Sequence, residues 1–173
     1  MDEGVLIQNI VLIGFMGTGK TAVGTKLAQQ LDGWSFHDLD HEIEAAERRT
    51  IPEIFASDGE KYFRQAESRE LRNLLRGSKC VISSGGGAVL AEENRKLMQG
   101  HSRVVNLLAQ PETIIERVKE DENRPLLQGD LEQKVRDLMK QRAGLYDFAD
   151  IQVRTDGKTI ENVANEVLEA LKR

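Results

Sequence analysis

The run Gly14-Phe15-Met16-Gly17-Thr18-Gly19-Lys20-Thr21 matches the pattern G-x-x-x-x-G-K-[ST] at every fixed position. The apolar run Asn9-Ile10-Val11-Leu12-Ile13 precedes it and reads as a buried strand. Val23, Leu27, Ala28 and Leu31 follow it at helical spacing. A glycine-rich loop between a strand and a helix turns backbone N–H groups inward, toward phosphate oxygens, and the helix N-terminus adds partial positive charge. In this pattern the lysine reaches β- and γ-phosphates and the Ser/Thr hydroxyl ligates Mg²⁺. The nucleoside triphosphate contacts expected here are Gly14, Gly17, Thr18, Gly19, Lys20, Thr21 and Ala22.

At 173 residues, the chain suits one α/β domain with a good-sized core and is too short for appended domains. Its 24 basic and 29 acidic side chains give a net charge of −5, and they are interspersed along helical segments. That argues against a nucleic-acid partner. One cysteine, Cys80, supports neither a disulfide framework nor a Cys-rich metal site, and His37, His41 and His101 have no ligand spacing and read as surface or loop residues. No apolar stretch approaches the length of a membrane span, and the start Met1-Asp2-Glu3-Gly4 is unlike a signal peptide. A soluble, cytoplasmic protein without membrane contact is expected.

Strand-like and helix-like segments alternate. Further strands are predicted at Trp34-Ser35-Phe36-His37-Asp38, Lys79-Cys80-Val81-Ile82-Ser83-Ser84, Ser102-Arg103-Val104-Val105-Asn106-Leu107-Leu108 and Asp150-Ile151-Gln152-Val153-Arg154. Helices are predicted over 40–76 with a break near 50–52, over 91–98, from Pro111, over 131–146 and over 159–171. Five strands joined by helical crossovers form a parallel sheet covered on both faces, a three-layer α/β sandwich.

Ligands of such sheets sit beyond the carboxyl ends of the strands. The first strand ends in the glycine-rich loop, the second in Asp38-Leu39-Asp40 and the third in Gly85-Gly86-Gly87. Asp38 suits a Mg²⁺ partner beside Thr21, and Asp40 a proton acceptor for an attacking hydroxyl; alternatively, Asp40 caps the helix that follows. Three successive glycines imply that something approaches the backbone closely, such as a substrate, where a simple turn needs only one.

Arg124 precedes Pro125 in the charged stretch 119–130, which is long enough to be a lid over the phosphates, and suits the charge developing on a transferring phosphoryl group. Arg64 and Arg142 lie on predicted helices, where a solvated arginine, with Arg64 paired to Glu60 or Glu67, explains them equally well.

Taken together, several motifs in order resemble the shikimate kinases, a nucleoside-monophosphate-kinase-like family of P-loop proteins. They are the loop at 14–21, Phe36-His37-Asp38-Leu39-Asp40, Gly59-Glu60-Lys61-Tyr62-Phe63-Arg64-Gln65-Ala66-Glu67, Ser84-Gly85-Gly86-Gly87-Ala88-Val89, Arg124-Pro125-Leu126-Leu127 and Arg142-Ala143-Gly144-Leu145-Tyr146. The likeness spans nearly the whole chain, so 1–173 reads as one kinase domain, with a substrate-binding helical region at 40–76 and a lid at 119–130.

The resemblance implies transfer of the γ-phosphoryl group of ATP to the 3-hydroxyl of shikimate, with Mg²⁺ as cofactor, toward aromatic amino acids. It also implies roles. Lys20, Asp40 and Arg124 are the catalytic set, with Asp40 the candidate base, and Thr21 and Asp38 serve the metal. Asp40, Arg64, Gly85, Gly86, Gly87 and Arg142 hold shikimate, the two arginines on its carboxylate. Arg117 stacks on adenine and the loop 155–159, including Thr159, forms the other wall; Ile160 stands where many relatives carry proline. A monomer is expected. A gluconate or nucleotide kinase on the same fold, or a noncatalytic nucleotide switch, remain the competing readings.

Overall fold

A computed structural model describes residues 7–120 and 130–173. The expected lid falls mostly on residues 121–129, outside the described residues. The five expected strands form, the first with its expected bounds and the others shorter by one or two residues: β1 (Asn9–Ile13), β2 (Ser35–Asp38), β3 (Cys80–Ser83), β4 (Arg103–Leu108) and β5 (Ile151–Arg154). They make one sheet in the order β2-β3-β1-β4-β5, with every pairing parallel.

Burial follows position in that order. Every residue of the central strands β1 and β3 is buried, whereas the edge strand β5 alternates buried Ile151 and Val153 with exposed Gln152 and Arg154. Central parallel strands are covered on both faces and so read as continuous apolar runs. Along β1 the side chains divide between two cores by the period of two. Val11 and Ile13 pack with Leu39, Ile43, Ile54 and Phe63. Ile10 and Leu12 pack on the other face with Leu27, Val163 and Val167.

The helices are α1 (Lys20–Gln30), α2 (Leu39–Glu47), α3 (Ile51–Leu75), α4 (Glu92–His101), α5 (Pro111–Lys119), α6 (Leu131–Gln141) and α7 (Ile160–Leu171). The break expected near 50–52 is the start of α3, where Thr50 and Glu53 form a capping box with proline in the first turn. A second interruption, unforeseen, lies inside α3 at Gly59, whose φ of 81° and ψ of 177° are not helical. A 3-10 turn at Ala88–Leu90 precedes α4. The helix expected over 131–146 stops at Gln141, and the chain turns through Gly144 at φ 86°, a conformation costly for any residue with a Cβ. Ile160 opens α7 behind Thr159, whose hydroxyl caps the helix by accepting from the Asn162 amide. His37 lies within edge strand β2, its ring 3.0 Å from Ser35 Oγ on one side and 3.0 Å from Glu42 on the other. Among the described residues, no helix is long and apolar enough to cross a membrane.

The register positions the site. Asp38 pairs with Ser83, Ser83 with Leu12, and Ile13 with Asn106. The chain leaves the ends of β1, β2 and β3 side by side, at the point where β1 is flanked by β3 and β4. That is the switch point of an open α/β sheet, where a crevice forms.

Candidate active site

Gly19 precedes α1 in the left-handed region at φ 93°, and Gly14 turns the chain out of β1 at φ 145°. A Cβ on Gly14 would lie 2.5 Å from the Leu107 carbonyl oxygen, so this turn admits only glycine. The buried Thr18 hydroxyl donates to the Phe15 carbonyl at 2.8 Å and braces the loop from inside. Lys20 Nζ donates to the carbonyls of Gly14 and Phe15 at 2.9 and 3.0 Å, which arches its side chain over the loop. The Val23 amide makes the first bond of α1, to Gly19. The amides of Lys20, Thr21 and Ala22 therefore lie in the first turn of the helix, ahead of its first intrahelical bond, an arrangement of donors that suits an anion.

Thr21 Oγ1 donates to Asp38 Oδ2 at 3.2 Å. Asp38 Oδ1 accepts from the amides of Asp40 and His41 at 3.0 and 3.3 Å, so Asp38, and not Asp40, caps α2. Asp40 falls in the first turn of that helix, where its carboxylate is available for other work. Burial chiefly, and the neighbouring Asp38 next, push the Asp40 carboxyl above its ordinary value, while Lys20 pulls it down.

The glycine triplet is explained by what stands over it. A Cβ on Gly85 would lie 2.8 Å from Asp40 Oδ1, one on Gly86 would lie 3.3 Å from Arg142 Nη1, and one on Gly87 would overlap the Arg64 guanidinium. Three bare Cα positions thus let three side chains, from α2, from α3 and from the end of α6, close on one stretch of backbone. Arg142 is 9% exposed, donates to the Gly86 carbonyl at 3.0 Å and lies over the Phe15 ring. Arg64 lies over the Phe63 ring and donates to Glu67 at 2.9 Å, with Glu60 at 3.6 Å. Its Nε is enclosed and has no acceptor among the described residues. The Phe55 ring, 40% exposed, packs against Phe63.

Beyond its place in the 59–67 motif, Glu67 enters sequence reasoning as a partner for a solvated Arg64. Its side chain is in fact 1% exposed, and burial raises its carboxyl to about 6 despite the lowering effect of Arg64. The three-residue spacing to Arg64 on a helix is the one sequence signal of that pairing. Phe15, beneath Arg142, lies at a variable position of the loop pattern and carries no such signal.

On the opposite side of the loop, Arg117 of α5 donates to the Gly17 carbonyl at 2.9 Å and to Thr155 Oγ1 and O at 3.2 and 3.4 Å. It ties the glycine-rich loop to the 155–159 segment after β5. The Thr159 hydroxyl is engaged as the cap of α7. Arg124 lies outside the described residues.

Phosphate-loop donors, a hydroxyl–carboxylate pair, the half-buried Asp40 carboxylate and two arginines at one crevice form a kinase-like arrangement. The family model for shikimate kinase matches residues 16–172. The shikimate kinase of Moorella thermoacetica is 46% identical over 164 residues, 95% of this chain and 94% of that protein. The structure of the Acinetobacter baumannii shikimate kinase in complex with shikimate superposes with a TM-score of 0.90 at 40% identity, covering 96% of this chain and 94% of that one. A gluconokinase from Sinorhizobium meliloti superposes with a TM-score of 0.63 at 18% identity, over 96% of this chain and 92% of that one, a likeness of fold alone. The chain belongs to the shikimate kinase family.

Proposed function

We propose that this protein transfers the γ-phosphoryl group of ATP to the 3-hydroxyl of shikimate, giving shikimate 3-phosphate and ADP on the route to chorismate and the aromatic amino acids. The observation that carries the reading is the convergence of Asp40, Arg64 and Arg142 on Gly85, Gly86 and Gly87. Shikimate is a small carboxylated triol. Its site needs cations for the carboxylate and an acceptor for a hydroxyl. Paired guanidiniums suit a carboxylate because they offer directed, bidentate donors. Arg64, with an enclosed Nε lacking an acceptor among the described residues, fits one side of such a clamp, and Arg142 fits the other.

Asp40 takes the proton of the attacking hydroxyl. Its raised pKa makes it a stronger base than an ordinary aspartate, and Lys20 nearby opposes part of that rise. Lys20 and the amides that open α1 hold the phosphates, and Arg124 in the lid segment adds positive charge to the transferring group. Thr21 and Asp38 place two hard oxygens 3.2 Å apart beside the phosphate loop, a donor set that fits Mg²⁺ with Thr21 as ligand and Asp38 behind it. When held there, Mg²⁺ would supply positive charge to the triphosphate. Fixing hydroxyl and phosphate in line supplies most of the rate. Arg117 and the 155–159 loop flank the adenine, and Gly14, Gly17, Thr18 and Gly19 shape the phosphate cradle. One domain carries the whole set, so a monomer suffices, and we assign the reaction to the cytoplasm.

The test is ADP release from ATP and Mg²⁺ with shikimate, gluconate and nucleoside monophosphates as separate acceptors. Turnover with shikimate alone is expected. Turnover with another acceptor instead, or with none, overturns the reading.

A further inference from the structure

We propose that Asp156 is a positioning residue for the nucleotide, one that fastens the 155–159 loop to the start of α5 and so sets Arg117 against the phosphate loop. The inference rests on the adenine-side reading of Arg117 given above.

Helix α5 begins at Gln110 with no side-chain cap of its own. The missing cap comes from a distant part of the chain: Asp156 Oδ1 accepts from the Gln110 amide at 2.9 Å. A carboxylate suits that place, since the first amides of a helix carry partial positive charge. The side chain of Thr113, then the Gln110 amide, hold the Asp156 carboxyl below its ordinary range, with Arg154 at 4.0 Å contributing less.

Arg117 lies on the same helix, two turns further on, and donates to Thr155 and to Gly17. Helix and loop are therefore joined at two points, by Asp156 at the start of α5 and by Thr155 near its end. Thr155 is itself fixed to β4, its amide and hydroxyl both donating to the Leu108 carbonyl at 2.8 and 3.2 Å. The chain then turns at Gly157, φ 65°, and is closed by the Thr159 cap on α7. Without Asp156 the start of α5 is released while its far contact remains. The helix can then pivot about the Thr155 contact, which shifts the Arg117 guanidinium relative to Gly17 and to the adenine side.

Steady-state kinetics test this. Asp156→Ala is expected to raise the KM for ATP about tenfold, with the KM for shikimate and kcat changed less than about twofold. Asp156→Asn keeps an acceptor for the Gln110 amide and is expected to recover most of the loss. Gln110→Pro supplies a second probe that alters no charge. Gln110 has φ −65°, the value of proline, so the substitution removes the donor at a compatible conformation. It is expected to raise the KM for ATP in the same way, and it decides the matter if Asp156→Ala does not fold. Equal rises in both KM values, or a lowered melting temperature with the KM for ATP unchanged, overturn the proposal. Arg117→Ala separates the two levels. A raised KM for ATP in Arg117→Ala but not in Asp156→Ala or Gln110→Pro overturns Asp156 positioning alone; an unchanged KM in Arg117→Ala overturns the adenine-side reading with it.

Discussion

Arg64 donates to Glu67 Oε1 at 2.9 Å, and the carboxylate that accepts is 1% exposed while the arginine is 27% exposed. The pair is thus rooted in the core and open at its tip, which aims the guanidinium at the crevice. Burial first, and Asp40 to a lesser degree, raise Glu67 from 4.5 to about 6, opposed by Arg64 and Arg142. A carboxyl more basic in the folded than the unfolded state contributes stability that is full below pH 4.5 and is lost as pH rises through about 6. The change amounts to about 2 kcal/mol. Glu67→Gln cannot ionise and removes it. Denaturant unfolding at about pH 4 and about pH 7.5 is expected to show the natural protein falling relative to the variant by about 2 kcal/mol. A difference that does not move with pH contradicts a buried, hard-to-ionise Glu67.

Gly87→Ala should separate binding from folding. The added Cβ meets the end of the Arg64 side chain, which can swing away, and not a backbone wall. The fold is expected to survive with little change in melting temperature, while kcat/KM for shikimate falls about a hundredfold and the KM for ATP holds. A variant that melts far earlier, or loses ATP affinity equally, argues against Gly87 as clearance for Arg64.

Asp40→Asn keeps the size and removes the base. Turnover is expected to drop by about 10² to 10⁴, with ATP binding measured by calorimetry intact. In the natural protein, kcat should fall as acid protonates Asp40, at a pH above the ordinary carboxyl value of 3.8 because burial raises it. Near-normal turnover of the variant would remove Asp40 as base.

Thr21→Ala and Asp38→Ala should differ in a diagnostic way. Each is expected to raise the Mg²⁺ concentration for half-maximal activity, by about tenfold or more. Only Asp38→Ala should also destabilise the fold, by about 1 kcal/mol, because only Asp38 caps α2. Unfolding curves for both variants beside Mg²⁺ titrations check the pattern; equal losses of stability contradict the division of labour.

Much of this is legible in the sequence. The five strands, the phosphate loop and the break at Thr50 are local, written in apolar periodicity and in turn and cap residues that act within a few positions. Gly59 was harder to read, since a single glycine in a helical stretch is often tolerated. The premature end of α6 at Gln141 was obscured by apolar residues that continue past it to Leu145 and Tyr146, both of which pack on the core without being helical.

Local sequence alone specifies a phosphate-binding loop between β1 and α1, and acids and glycines at the ends of the next two strands of a parallel sheet. Periodicity and loop chemistry are short-range, so no partner elsewhere in the chain was needed to read them. That Asp38 and not Asp40 serves as the cap, that Glu67 is buried, and that the three glycines make room for Asp40, Arg142 and Arg64 is settled by packing. Those facts depend on helices from distant parts of the chain closing over one strand end, and desolvation and steric clearance exist only once they have packed.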